Sequence, residues 1–189
     1  MGFDVRAYAK KIAESKPAGS GNPIRDGDFL LAIRKLSIKP SDKGSETWFI
    51  GEFFVIKSGP VDVAPDLITA DRPVTTPNPV GSDCSMVVDL NSKMGPANVK
   101  ELAAAHMGKA HTELTEEDFF TFLSKNVDAP GTVTGQPLMG RVLSVKTSRK
   151  LVKEGKNAGK PAVRLNWGHV EQSPAEQAEI RAMLTPKAN

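Results

Sequence analysis

Cysteine is almost missing from this chain of 189 residues. The single copy, Cys84, excludes an internal disulfide and a multi-cysteine zinc site, and such sparing use fits a reducing cytoplasm. Histidine is scarce as well, with three copies, so metal ligands are in short supply. No run approaches the ~18 apolar residues that a membrane helix requires. Residues 1–16 interleave charges with small side chains and carry no apolar h-region, which predicts no secretory signal. The expectation is a cytoplasmic protein with no membrane partner. No phosphate-cradling glycine loop ending in Lys-Ser or Lys-Thr is present, and no dinucleotide fingerprint. Gly155-Lys-Asn-Ala-Gly-Lys160 imitates such a loop but lies between two strands, with no helix after it. No repeat of 20–50 residues is found.

Catalytic groups are equally thin. Cys84, His106 and His111 would have to assemble a nucleophile and its base. Yet Cys84 opens a strand, with neither a glycine elbow nor a helix N-terminus directly after it, and His106 sits late in an ordinary helix. The acids Glu116, Glu117 and Asp118 are explained by a helix start. The sequence therefore predicts no enzyme, no cofactor, no catalytic residue and no metal ligand.

What the chain does have is material for one core, with 39% hydrophobic and 25% charged residues. Net charge is only +3, but it is unevenly spread. Residues 59–135 hold five Lys or Arg against eleven Asp or Glu. Residues 136–164 hold eight basic residues against one acid, Glu154. Such segregation attracts a polyanion to one face.

Helical spacing of Val5, Tyr8, Ala9 and Ile12 predicts a short helix over 4–14, broken by Pro17 and a linker through Pro23. Strands are expected at 29–39 and 47–57, joined by a Pro/Gly-containing turn into a hairpin. Gly51 inside the second predicts a bulge or bend. Residues 59–82 carry five prolines and read as an extended excursion with a mobile tip. A third strand is expected at 84–90. Helices follow at 96–107, ended by Gly108, and at 115–125, capped by Thr115. Strands at 139–147 and 161–167 flank a basic loop over 148–160, and Ser173-Pro174 opens a terminal helix. The order implies a mainly β (α+β) fold, an OB-fold-like five-stranded Greek-key barrel with helices between strands three and four and at both termini. Residues 1–24 form the N-terminal helix and linker. Residues 25–170 form the barrel, with the excursion at 59–82 and the helical insert at 96–126. Residues 171–189 form the C-terminal helix and tail.

Several stretches resemble phage-encoded single-stranded-DNA-binding proteins. They are Gly27-Asp-Phe-Leu-Leu-Ala-Ile-Arg-Lys-Leu36, Trp48-Phe-Ile-Gly-Glu-Phe-Phe-Val-Ile-Lys-Ser58 and Pro79-Val-Gly-Ser-Asp-Cys-Ser-Met-Val-Val-Asp-Leu90 with Asn98-Val-Lys-Glu-Leu102. Lys160-Pro-Ala-Val-Arg-Leu-Asn-Trp167 is similar to their closing strand. The resemblance covers residues 25–168 and implies an OB-fold that holds single-stranded DNA, sequence-independently, during phage replication or recombination in the host cytoplasm. It also implies replication or recombination proteins as partners, with RNA binding and oligomerisation left open. One departure is the ending Met-Leu-Thr-Pro-Lys-Ala-Asn, which lacks the acidic tail through which many such proteins recruit partners.

Single-strand binding needs cations that follow the phosphates and flat rings on which bases stack. The candidate cations are Arg34, Lys35 and Lys39 on the first strand and Lys57 at the end of the second. Arg141 and Lys146 lie on the fourth, Arg149, Lys150, Lys153 and Lys156 in the basic loop, and Arg164 on the fifth. The candidate platforms are Trp48, Phe49, Phe53, Phe54 and Trp167. On a simple pleat only one of Phe53 and Phe54 faces the core. Trp167 shares a face with Val163 and Leu165, so a core role competes with stacking. The rival reading is a protein-interaction or assembly module that uses the same barrel to grip another chain.

Overall fold

The computed structural model describes residues 22–41, 46–92, 94–153 and 157–185. The helix expected at 4–14 and the basic-loop residue Lys156 lie outside the described residues. Five strands, β1 (Asp28–Pro40), β2 (Thr47–Gly59), β3 (Asp83–Asp89), β4 (Val142–Leu151) and β5 (Pro161–Gly168), form one antiparallel sheet. Its order is β3-β2-β1-β4-β5. Three helices accompany it among the described residues: α1 (Gly95–Met107), α2 (Glu116–Asn126) and α3 (Pro174–Leu184). The class is mainly β, α+β, with the helices in the expected places.

The helix ends follow their sequence signals. Gly108 ends α1 at φ 64, a left-handed conformation that glycine adopts without a Cβ penalty. Thr115 with Asp118, and Ser173 with Glu176, form capping boxes on α2 and α3.

β2 is rich in β-branched and aromatic residues and β1 in large apolar ones, and the two pair along their whole lengths. β1 shares residues 28–32 with β4 and then parts from it. Beyond that point a return segment takes over. Ile38 N donates to Asp128 O at 2.6 Å, and Asp128 N donates to Leu36 O at 3.0 Å. The Gln136 side-chain amide completes the repair, accepting from Leu36 N and donating to Leu36 O. The β1 backbone thus stays satisfied where its strand neighbour is lost.

The register shifts in the hairpin fall at Leu30/Leu31 and Ile33/Lys35, not at Gly51. Gly51 pairs regularly with Leu36 and Met86. Its role is space: a Cβ there would sit 2.7 Å from the Phe53 ring, which lies over the glycine. The bend expected at Gly51 is instead taken up by the two bulges.

The sheet curls strongly. Phe53 on β2 and Trp167 on β5 are three strand positions apart, about 14 Å in a flat sheet. Their ring centroids are 5.2 Å apart. α1 packs against both edge strands, β3 and β5, and closes the curl with Val99, Leu102 and Ala103 in the main core.

The opposite face of the sheet has its own core. Ala32, Phe54, Ile56 and Val142 are covered by Ile180 and Leu184 of α3. At Gly140 (φ 84) a Cβ would lie 2.5 Å from the Gln177 carbonyl, so only glycine lets α3 settle there. Arg34 donates to the Leu184 carbonyl at the helix C-terminus.

Two boundaries differ from the sequence reading. Residues 22–24, expected as linker, join the β3 edge: Ser85 N donates to Asn22 O, and Ile24 N donates to Ser85 O. β4 runs on to Leu151, so Ser148, Arg149 and Lys150 are strand rather than loop. Basic composition mimics a loop there, while the ladder to β5 pairs Arg149 with Val163.

Residues 59–82 do not project. Arg149 donates to the carbonyls of Leu67, Arg72 and Pro73 and forks onto both oxygens of Asp26 at 3.0 and 2.7 Å. Thr75 adds a hydrogen bond from its N and one from its Oγ1 to the Asp26 carboxylate. Asn78 bonds Arg25 N and Pro23 O. The proline-rich segment is stapled to the start of β1 and to β4. No helix among the described residues is long and apolar enough to cross a membrane.

Candidate functional site

Most of the residues picked from the sequence separate into three groups; Lys57 and Lys146 stand apart from them, and Lys156 lies outside the described residues. Phe49, Phe53 and Phe54 are all fully buried, the first two in the main core and Phe54 on the opposite face of β2, because α3 covers the face that a single-core pleat leaves open. None of them is a stacking platform. Arg149, buried with 8% exposure, spends its five donors on Asp26 and three carbonyls. It holds structure rather than a phosphate. Arg141 is also buried and donates to Val170 O at 2.8 Å, fixing the link from β5 to α3. Arg34 pairs with Asp83 at 2.6 Å and lies over the Phe54 ring at 5.3 Å.

The second group lies on the outer face of β1–β3, beyond α3. Trp48 stands between Lys39 and Asp89 in the ladder, and Ile50 between Ser37 and Val87. Lys35 pairs in register with Glu52 and lies 3.9 Å from Asp128. Two cations, Lys35 and Lys39, stand here among three acids, Glu52, Asp89 and Asp128, so the face presents no excess positive charge to a polyanion.

The third group lines a trough along the seam between α1 and β5. One half is a groove of about 500 Å³ between the N-terminal part of α1 and the β4–β5 hairpin. Lys150, Lys153 and Arg164 rim it. Its walls include Met94, Leu151 and Val163, which are 62%, 49% and 45% exposed. The other half, about 380 Å³, runs past Trp167 and Asn166 to Lys109, His111 and His169. Trp167 is therefore both core, against Phe53, and wall. Its Nε1 is buried and finds no hydrogen-bond partner among the described residues.

Lys39, Lys57, Lys146, Lys150 and Lys153 are exposed and form no ion pair among the described residues. Of these, only Lys150 and Lys153 line the trough. Lys57 lies opposite Leu30 on β2, away from β5, and Lys146 lies between Asp28 and the trough residue Asn166 in the ladder. Lys109 is held by Asp118 at 3.0 Å, and Arg164 by Glu101. Sequence reasoning missed the apolar wall: Met94 reads as a linker residue, and Leu151 as part of a loop.

The remaining chemistry is quiet. Burial, reinforced by the Asp83 charge, pushes the Cys84 thiol up to about 12, so it stays protonated. Burial and the charges of Arg141 and His169 hold His106 down at about 4, a neutral imidazole. No cluster of three or more His, Cys, Asp or Glu able to hold a metal occurs among the described residues.

Comparison with known proteins finds no matching family model and no matching curated protein.

Proposed function

We propose that this protein binds single-stranded nucleic acid without catalysis, laying the strand along the α1–β5 trough. The carrying observation is the groove itself, where exposed Lys150 and Lys153 stand beside Leu151, Val163 and Met94 on one wall system. Cations at the rim suit phosphates, and apolar walls suit unstacked bases, whatever their sequence. Duplex presents phosphates but keeps its bases stacked inside, so the walls discriminate in favour of the single strand.

On this reading the fold is an OB-type barrel left partly open. Support comes from β1 at the centre of a curled five-stranded sheet and from α1 spanning the two edge strands. The hairpin between the last two strands is then one of the loops with which such barrels bind oligonucleotides. The sequence resemblance to phage single-stranded-DNA-binding proteins supports a role in replication or recombination. A second reading, an apolar peptide in the same groove, draws on the same three exposed side chains.

The test is fluorescence-anisotropy titration of labelled oligo-dT, its RNA counterpart and a duplex of equal length, over a salt series. Tight binding of the single strand and much weaker binding of the duplex are expected, with affinity falling linearly in log salt. The double reversal Lys150→Glu/Lys153→Glu, on exposed positions, is expected to reduce dT affinity at least tenfold and flatten the slope by about 1.4 for two phosphates. No binding of any single strand at low salt sinks the proposal and leaves the peptide reading.

A further inference from the structure

The trough is barred at one point. Among the described residues only two line both of its halves, Glu101 from α1 and Arg164 from β5. They are ion-paired to each other through Arg164 Nη2 and Glu101 Oε1. Glu101 is also the one acid among the described lining residues, against Lys109, Lys150, Lys153 and Arg164. An acid in the middle of a basic trough opposes polyanion binding unless it has another task. A carboxylate offers an arginine the same kind of acceptor oxygens as a phosphate does, in a geometry that both can meet.

Resting on the trough reading, we infer that Glu101 is a built-in phosphate mimic, a latch that holds Arg164 until the phosphate backbone of a bound strand displaces it. Closed, the latch separates the groove at the hairpin from the pocket beside Trp167. Displaced, it frees the most central cation of the trough and joins the two halves into one track. The pair is accessible enough to exchange: the Arg164 side chain is 41% exposed and that of Glu101 18%. Binding therefore carries a fixed cost for opening, and a ligand with too few phosphates to repay it is rejected. Glu101 positions Arg164; it does not itself contact the strand.

The test is Glu101→Gln, which keeps the shape of the side chain and removes its charge. Oligo-dT affinity is expected to rise about two- to fivefold, the size of a partly exposed ion pair. The log–log salt slope is expected to stay unchanged, because Arg164 meets a phosphate in both proteins once the strand is bound. Glu179→Gln, an equal charge change on the exposed side of α3, controls for net charge and is expected to leave both unchanged. Adding Arg164→Gln to Glu101→Gln is expected to cancel the gain. If wild type binds and Glu101→Gln binds no better, the latch is wrong while the trough reading stands. An equal gain in Glu179→Gln also overturns it, as a bulk charge effect. If neither wild type nor any variant binds, the trough reading falls and the latch with it.

Discussion

Replacing Arg149 with alanine is expected to destabilise the fold by about 3–5 kcal/mol, the cost of leaving a buried charge without its partner. Asp26, 2% exposed, would lose both prongs of the guanidinium, and the carbonyls of Leu67, Arg72 and Pro73 would lose their donors. A urea midpoint measured by circular dichroism reads the loss directly. Arg149→Lys, which keeps the charge and drops the fork, should fall between the two. The pH dependence has a definite sign. Burial raises the Asp26 carboxyl, but hydrogen bonds from Arg149 and Thr75, with the Arg149 charge, outweigh it and hold the group at about 2. A carboxyl held below its ordinary value stabilises the fold above pH ~4 and loses that contribution as pH falls through 2. In Arg149→Ala the unpaired carboxylate favours protonation instead, so the gap to wild type should narrow below pH ~4. A gap that is small at neutral pH, or that does not change on acidification, would contradict the staple.

Phe53→Ala is expected to cost about 3–5 kcal/mol, as for a large aromatic removed from a packed core. The ring lies over Gly51 and against Trp167, so its removal opens a cavity at the point where β2 and β5 meet. Thermal unfolding should show the loss, and Trp167 emission should shift as water reaches the indole. A base-stacking residue would behave otherwise, lowering nucleic-acid affinity with stability little changed. Unchanged stability in this variant would return Phe53 to the surface.

Much of the architecture is legible in the sequence because it is written in local signals. Capping serines and threonines, the terminal Gly108 and the strand patterns mark their elements within a few residues. What escaped depends on partners far along the chain. Arg149 reads as a loop cation because its partner, Asp26, is 123 residues away. Without that carboxylate an inward arginine on β4 has no local sign. One of Phe53 and Phe54 reads as exposed because period-two alternation assumes one buried face. A usable signal was there: Phe53-Phe54-Val55-Ile56 is the unbroken apolar run of a strand covered on both sides. It called for a second layer, and the terminal helix, with Ile180 and Leu184 on one stripe, supplies it. The trough was half legible. Lys150, Lys153 and Arg164 were selected by charge, but the Met94, Leu151 and Val163 wall is assembled from three separate segments.

The most direct measurement is lysine footprinting, with acetylation read by mass spectrometry, on the full chain with and without oligo-dT. Strand binding in the α1–β5 trough is expected to protect Lys150 and Lys153 while Lys39 and Lys57, both exposed, react as before. Protection of Lys39 with Lys150 and Lys153 still reactive would move the strand to the Trp48 face and contradict the trough as the binding site.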